Sequence, residues 1–165
     1  MRFPTILIVS LFSLLISGTA LSAPEKKGVI CKCEICPSGH VHIGSISARP
    51  LWLQPDIGVF FEKDKIQFFD FGLEKDNVVL FEPSGWTGLS YDTSPEEITW
   101  SDNKRFGYTW VLDRQSLAFN VVYEGSVVVE RTCEVWPEQT FFKKLNDIKA
   151  KYQNLYNQML KKNKI

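Results

Sequence analysis

The sequence predicts a mainly β protein: an antiparallel meander of seven to nine strands, closed as a barrel or stacked as two sheets, with one C-terminal α-helix. Three observations carry this expectation. Short runs of Val, Ile, Phe, Tyr and Trp recur between residues 59 and 135, separated by turn formers. In the second half the apolar residues alternate, as Tyr108, Trp110 and Leu112 do, and then Leu117, Phe119 and Val121. After Pro137 the period changes. Phe141, Leu145, Ile148, Tyr152, Leu155 and Met159 follow one another at separations of three or four, the seam of an amphipathic helix.

Residues 1–23 read as a signal peptide. Arg2 precedes an apolar run at 6–16 that is broken only by Ser10 and Ser13, and small residues follow up to Ala23. Cleavage is expected after Ala23, with Ala20 as the alternative. About eleven apolar residues at ~1.5 Å each cannot span ~30 Å of hydrocarbon, so an anchor is disfavoured. Residues 24–28 form a polar leader, expected to be mobile. Residues 29–39 hold most of the cysteines. Val41, Ile43 and Ser45 hint at a short strand, and residues 49–56 form a connecting loop around Pro50 and Pro55.

Residues 59–61 and 66–69 flank the polar turn 62–65 as a hairpin. Residues 77–81 form another strand, ended by Pro83 and Gly85, and 86–91 a short edge strand containing Gly88. Four strands then follow in succession, at 97–100, 107–112, 116–123 and 127–135. Curling or stacking such a set removes open edges. Pro137 suits the first helical position, where its missing N–H has no partner to lose. Lys161, Lys162 and Lys164 suit the negative end of the helix dipole. The division is therefore a leader at 1–23, a β domain at 24–136, and a basic amphipathic helix at 137–165. The stripe of that helix needs burial, so it is expected to dock on the β domain.

Composition narrows the class. Of 165 residues, 44% are apolar and 23% charged, too apolar for a disordered tail. The 10 Gly and 8 Pro are too few for a collagen-like chain. The 19 basic and 19 acidic side chains cancel, but unevenly. Residues 24–137 carry 11 basic against 17 acidic groups, while residues 138–165 hold seven Lys against Glu138 and Asp147. An acidic body is thus joined to a basic tail. The neutral total and the export signal disfavour nucleic acid as a partner. The expected partner is a protein or a small ligand. No transmembrane segment is expected in the mature chain, although the basic helix offers a surface for anionic membranes.

The densest chemistry is Cys31, Cys33 and Cys36 followed by His40 and His42, with a fourth thiol at Cys133. Export places these thiols in an oxidising compartment, which favours disulfides. Four cysteines allow three pairings, and each joins one clustered cysteine to Cys133 and leaves one local bridge. Cys33–Cys36 or Cys31–Cys36 is easier as the local bridge than Cys31–Cys33, whose one-residue gap strains the geometry. The alternative is a zinc or copper site built from Cys31, Cys33, Cys36, His40 and His42, since thiolates and imidazoles select soft metals. Its spacing lacks a second Cys-x-x-Cys pair. Redox chemistry at Cys33 and Cys36 would need a following helix, which Pro37, Ser38 and Gly39 block.

No nucleophile elbow, zinc-protease motif, phosphate loop or dinucleotide fingerprint is present. Catalytic residues are therefore not assigned, and a hydrolase with a carboxylate pair is a second alternative. Most of the aromatics read as core. Trp86, between Gly85 and Gly88, is the one candidate for a ligand-facing ring.

The assembled pattern resembles a family of small exported bacterial proteins. The matching pieces are Cys31-Lys32-Cys33-Glu34, Ile98-Thr99-Trp100, the stretch Tyr108 to Arg114 with Ser116-Leu117, Cys133, and the Lys-rich end from Lys161 to Ile165. The resemblance implies no mechanism and no cofactor. It implies a disulfide, because a cysteine near each end of the body recurs. The architecture also looks like small periplasmic β-barrels such as lysozyme inhibitors, though their inhibitory Ser/Gly-rich loop is absent. The expectation is an exported protein of the periplasm or exterior, non-enzymatic, acting as a binding or accessory protein.

Overall fold

The computed structural model describes residues 24–33, 56–83, 85–102 and 107–162. Strand β1 is Lys27–Lys32, β2 Asp56–Glu62, β3 Lys65–Glu74, β4 Asn77–Phe81 and β5 Tyr91–Thr93. Strand β6 is Glu97–Ser101, β7 Tyr108–Asp113, β8 Ala118–Tyr123, β9 Ser126–Pro137, and helix α1 is Glu138–Lys162. They form a single antiparallel sheet in the order β4-β3-β2-β1-β9-β8-β7-β6-β5. The chain is mainly antiparallel β with one C-terminal helix. The expected leader at 1–23, the hinted strand at 41–45 and most of the loop at 49–56 lie outside the described residues.

The sheet curls into a half-barrel whose arms meet. The Ile66 N–H donates to the Leu89 carbonyl at 3.0 Å, and the Gly88 N–H donates to the Ile66 carbonyl at 2.7 Å. A bridge pairs Lys65 with Ser90. The first half of β3 thus pairs with β2 on one side and with residues 88–90 on the other. Its second half continues outward to pair with β4. Closure satisfies backbone groups that an open edge would leave to solvent. The expected edge strand at 86–91 is a turn at 85–88 leading into this closing contact. Proline 137 ends β9 instead of opening the helix.

Strand β1 corrects the expectation of a mobile leader at 24–28. Lys27 and Gly28 belong to a six-residue strand seated between β2 and β9. Both faces of β1 are buried, because the inner core lies on one side and the helix on the other. Val29 and Cys31 point into the curl, whereas Ile30 joins the cluster beneath α1. A strand buried on both faces shows no polar alternation.

Two cores follow from this layering. The inner one is dominated by aromatics, with Phe61, Phe68, Trp86, Trp100, Trp110 and Phe119 all buried. The Trp100 and Trp110 rings stack at 6.3 Å, and Trp86 meets Trp110 edge to face at 5.2 Å. The outer core lies between β1–β4 and the helix, where Phe141 packs on Phe60 and Phe69 at 5.6 and 5.8 Å. Glycines let the helix come this close. A Cβ on Gly28 would sit 2.2 Å from the Phe141 ring, and one on Gly58 would sit 3.0 Å from both Leu145 and Phe141. Of the expected helical seam, Phe141, Leu145 and Tyr152 are buried, while Leu155 and Met159 remain 39% and 37% exposed. The buried part of the stripe ends at Tyr152, and beyond it the contact with the sheet is polar, with Gln153 Oε1 accepting from the Val78 N–H at 2.7 Å.

Candidate functional site

The inner core is not filled evenly. Its middle is packed with Trp and Phe, but one end is lined mainly by aliphatic side chains around Phe61. There Val29 of β1, Phe61 of β2, Ile98 of β6 and Leu112 of β7 floor an open cleft of about 350 Å³. Strands this few enclose little more than their own side chains, so exchanging aromatic for aliphatic groups at one end leaves usable space. Val135 of β9 and Leu117 form its walls, and Glu25, Lys27 and Arg114 stand at the rim.

The turn between β7 and β8 shapes this wall. The Asp113 carboxylate accepts hydrogen bonds from the N–H groups of Gln115 and Ser116 at 2.9 and 2.7 Å. Its pKa is held below the usual carboxylate value, first by the Ser116 backbone bond, then by the Ser116 hydroxyl and Gln115. Leu117 has φ +58°, a left-handed conformation that a branched side chain rarely adopts. Two backbone bonds hold it there. Its N–H donates to the Asp113 carbonyl at 3.0 Å, and its carbonyl accepts from the Cys133 N–H at 2.9 Å. This left-handed residue is one of those lining the cleft.

Arg114 is fixed in the same turn. Its Nη1 donates to Thr93 Oγ1 at 3.1 Å and to the Ser94 carbonyl at 2.8 Å. Its own N–H donates to the Glu96 carbonyl at 2.8 Å. The β5–β6 turn therefore clamps a half-buried guanidinium at the cleft mouth.

The cysteines lie just deeper. Cys31 and Cys133 are register partners in β1 and β9 and form a disulfide, with Cα atoms 3.9 Å apart. Val29 and Val135, which line the cleft, are the register pair two residues away on the same face. The bridge thus ties together the two strands that carry the cleft wall. Cys33 is also disulfide-bonded, and its Sγ lies 3.7 Å from the Glu130 carbonyl oxygen. All three sulfurs are engaged in disulfides, so none is a thiolate donor in this oxidised form. Cys36, His40 and His42 lie outside the described residues. Among the described residues no cluster of three or more His, Cys, Asp or Glu could hold a metal ion.

Trp86 is 5% exposed and packs on Phe68 and Trp110, away from the cleft. Its flanking glycines serve the closing turn, where Gly85 and Gly88 have φ +92° and +79°. Among the described residues the three buried carboxylates each have a structural partner. Asp56 accepts from the Tyr152 hydroxyl at 2.8 Å beneath the helix. Asp70 accepts from the Phe71 N–H at 2.7 Å, and Asp102 accepts from the Tyr108 N–H at 2.8 Å. The cleft itself has one carboxylate in its lining, Glu25. A two-carboxylate hydrolytic mechanism needs a pair flanking the substrate.

Sequence reasoning missed Lys27, Glu25, Arg114 and Leu117. Arg114 and Leu117 entered the reading only as parts of the stretch that carries the resemblance and of an alternating strand, and nothing in the sequence marks the left-handed backbone of Leu117. No family model, curated protein or solved structure matches this chain. Among the described residues no helix is long and apolar enough to cross a membrane.

Proposed function

We propose that this chain is an exported, non-catalytic binding protein that holds the apolar part of a ligand in the open end of its curled sheet. The observation that carries the reading is the cleft of about 350 Å³, floored by apolar side chains and rimmed by a few charges. Concave ligand sites combine apolar side chains with a small number of placed polar groups, and this cleft sets apolar side chains beside Glu25, Lys27 and Arg114. The disulfide next to the cleft supports export, since such bonds persist in oxidising compartments. Periplasm or exterior is the location that goes with it.

A neutral fluorescent probe, N-phenyl-1-naphthylamine, tests the reading. Val135 is 42% exposed at the cleft wall, so Val135→Trp fills the space without overpacking the core. The dye should brighten on the native protein and lose at least tenfold in affinity on V135W, with far-UV circular dichroism unchanged. Equal dye binding by both proteins, or none by either, refutes the reading.

A further inference from the structure

We propose that the ligand is an amphiphile with a single apolar chain and a carboxylate head, and that Arg114 recognises the head. The inference rests on the binding role above and names its ligand class. A cleft of about 350 Å³ has room for roughly twelve water-sized groups at ~30 Å³ each, the size of a medium-length acyl chain. Its floor of Val29, Phe61, Ile98 and Leu112 offers the chain no polar partner.

The head group follows from the way Arg114 is bound. Both bonds from its guanidinium leave Nη1, one to Thr93 and one to Ser94. They consume the two hydrogens of that nitrogen. Among the described residues nothing bonds the opposite edge, Nε–H with Nη2, a parallel pair of donors that matches the two oxygens of a carboxylate. Among the described residues no carboxylate forms an ion pair with Arg114.

Two acidic groups in the turns that hold Arg114 are engaged within those turns. The Asp113 carboxylate accepts from Gln115 and Ser116, and the Glu96 carboxylate accepts from the Ser94 hydroxyl. Of the side chains that line the cleft, Lys27 adds a second cation beside the single carboxylate of Glu25. Glu25 and Lys27 are exposed, whereas Arg114 is half-buried and held by two turns. A preorganised donor spends little conformational entropy on binding and favours an anion over a cation.

Titration calorimetry on the oxidised protein, with decanoate, decan-1-ol and decyltrimethylammonium as probes, tests the proposal. A bidentate charged hydrogen bond predicts decanoate about 10–100-fold tighter than decanol, with the cation weakest. Arg114→Gln should remove that advantage and leave decanol binding within about twofold. Arg114→Lys should restore only part of it, because the fork is lost. Decanol binding as tightly as decanoate, or R114Q binding decanoate like the native protein, overturns the carboxylate assignment and leaves the apolar cleft intact. Absence of binding by all three probes overturns both. If R114Q does not fold, the native protein still decides the matter. Raising salt should weaken decanoate and not decanol, and an equal response of the two overturns the assignment.

Discussion

Gly28→Ala should loosen the helix from the sheet. The added Cβ would lie 2.2, 2.4 and 2.6 Å from three atoms of the Phe141 ring. Carbon atoms pack at about 3.5–4.0 Å, so the ring must retreat by more than ~1 Å. It has nowhere close to go. Phe141 is fully buried, with Phe60, Phe69 and Phe142 at centroid distances of 5.6, 5.8 and 5.1 Å.

Two effects oppose each other. Replacing glycine lowers the entropy of the unfolded chain and contributes about 0.4–1 kcal/mol of stability. Overpacking a filled core costs about 1–3 kcal/mol, and a clash with a ring boxed in by three others belongs at the upper end. The net loss is about 2 kcal/mol, or about 4–8 °C in Tm for a chain of this size. Urea unfolding followed by circular dichroism measures it. The diagnostic is the double variant with Phe141→Leu, which makes room for the new methyl. The two changes should couple by more than about 1 kcal/mol, because they act on one contact. An unchanged Tm for G28A, or strictly additive losses, would refute the close approach of helix and β1.

Three further outcomes follow from other contacts. Removing the Cys31–Cys133 bridge, which spans 102 residues, should cost about 2–4 kcal/mol and lower the urea midpoint of a Cys31→Ala, Cys133→Ala variant. Tyr152 has its pKa pushed well above the ordinary value of 10.0, first by burial and then by the Asp56 charge and hydrogen bond. A group raised in this way supports the fold below its unfolded value and loses that support as pH climbs past it. Stability should therefore fall above pH ~10 in the native protein and less steeply in Tyr152→Phe, a comparison that denaturant midpoints from pH ~8 to ~11 can make. Gly125 has φ +76° with open space around its Cβ position, so Gly125→Ala should cost about 1–2 kcal/mol from backbone strain alone, read as a lowered Tm.

Much of the sheet could be read from residue order. The hairpin of β2 and β3 shows in Val59-Phe60-Phe61 and Ile66 to Phe69 around a polar turn, and β6 to β9 show in alternation and short turns. These signals are local, since a half-buried strand must alternate and a tight turn needs its own residues. Strand β1 was hidden because both its faces are covered and its ends are Lys27 and Lys32. The cleft was hidden for a different reason. Its lining comes from β1, β2, β6, β7 and β9, and from turns that meet only after the sheet curls.

The same division holds for the chemistry. The sequence alone determined that one clustered cysteine had to meet Cys133 in any full pairing, since three cysteines cannot pair among themselves without leaving one over. Register selected Cys31, because the antiparallel pairing of β1 with β9 sets it opposite Cys133 and on the same face. The aromatic signal pointed to Trp86, and folding turned that ring into the inner core. Arg114 acquired its place only when the β5–β6 turn closed over its Nη1. Periodicity and turn chemistry act over a few residues and so are written in the chain. A cleft depends on which distant side chains share its end of the barrel and how much volume they leave empty. That balance of size and position exists only in the folded molecule.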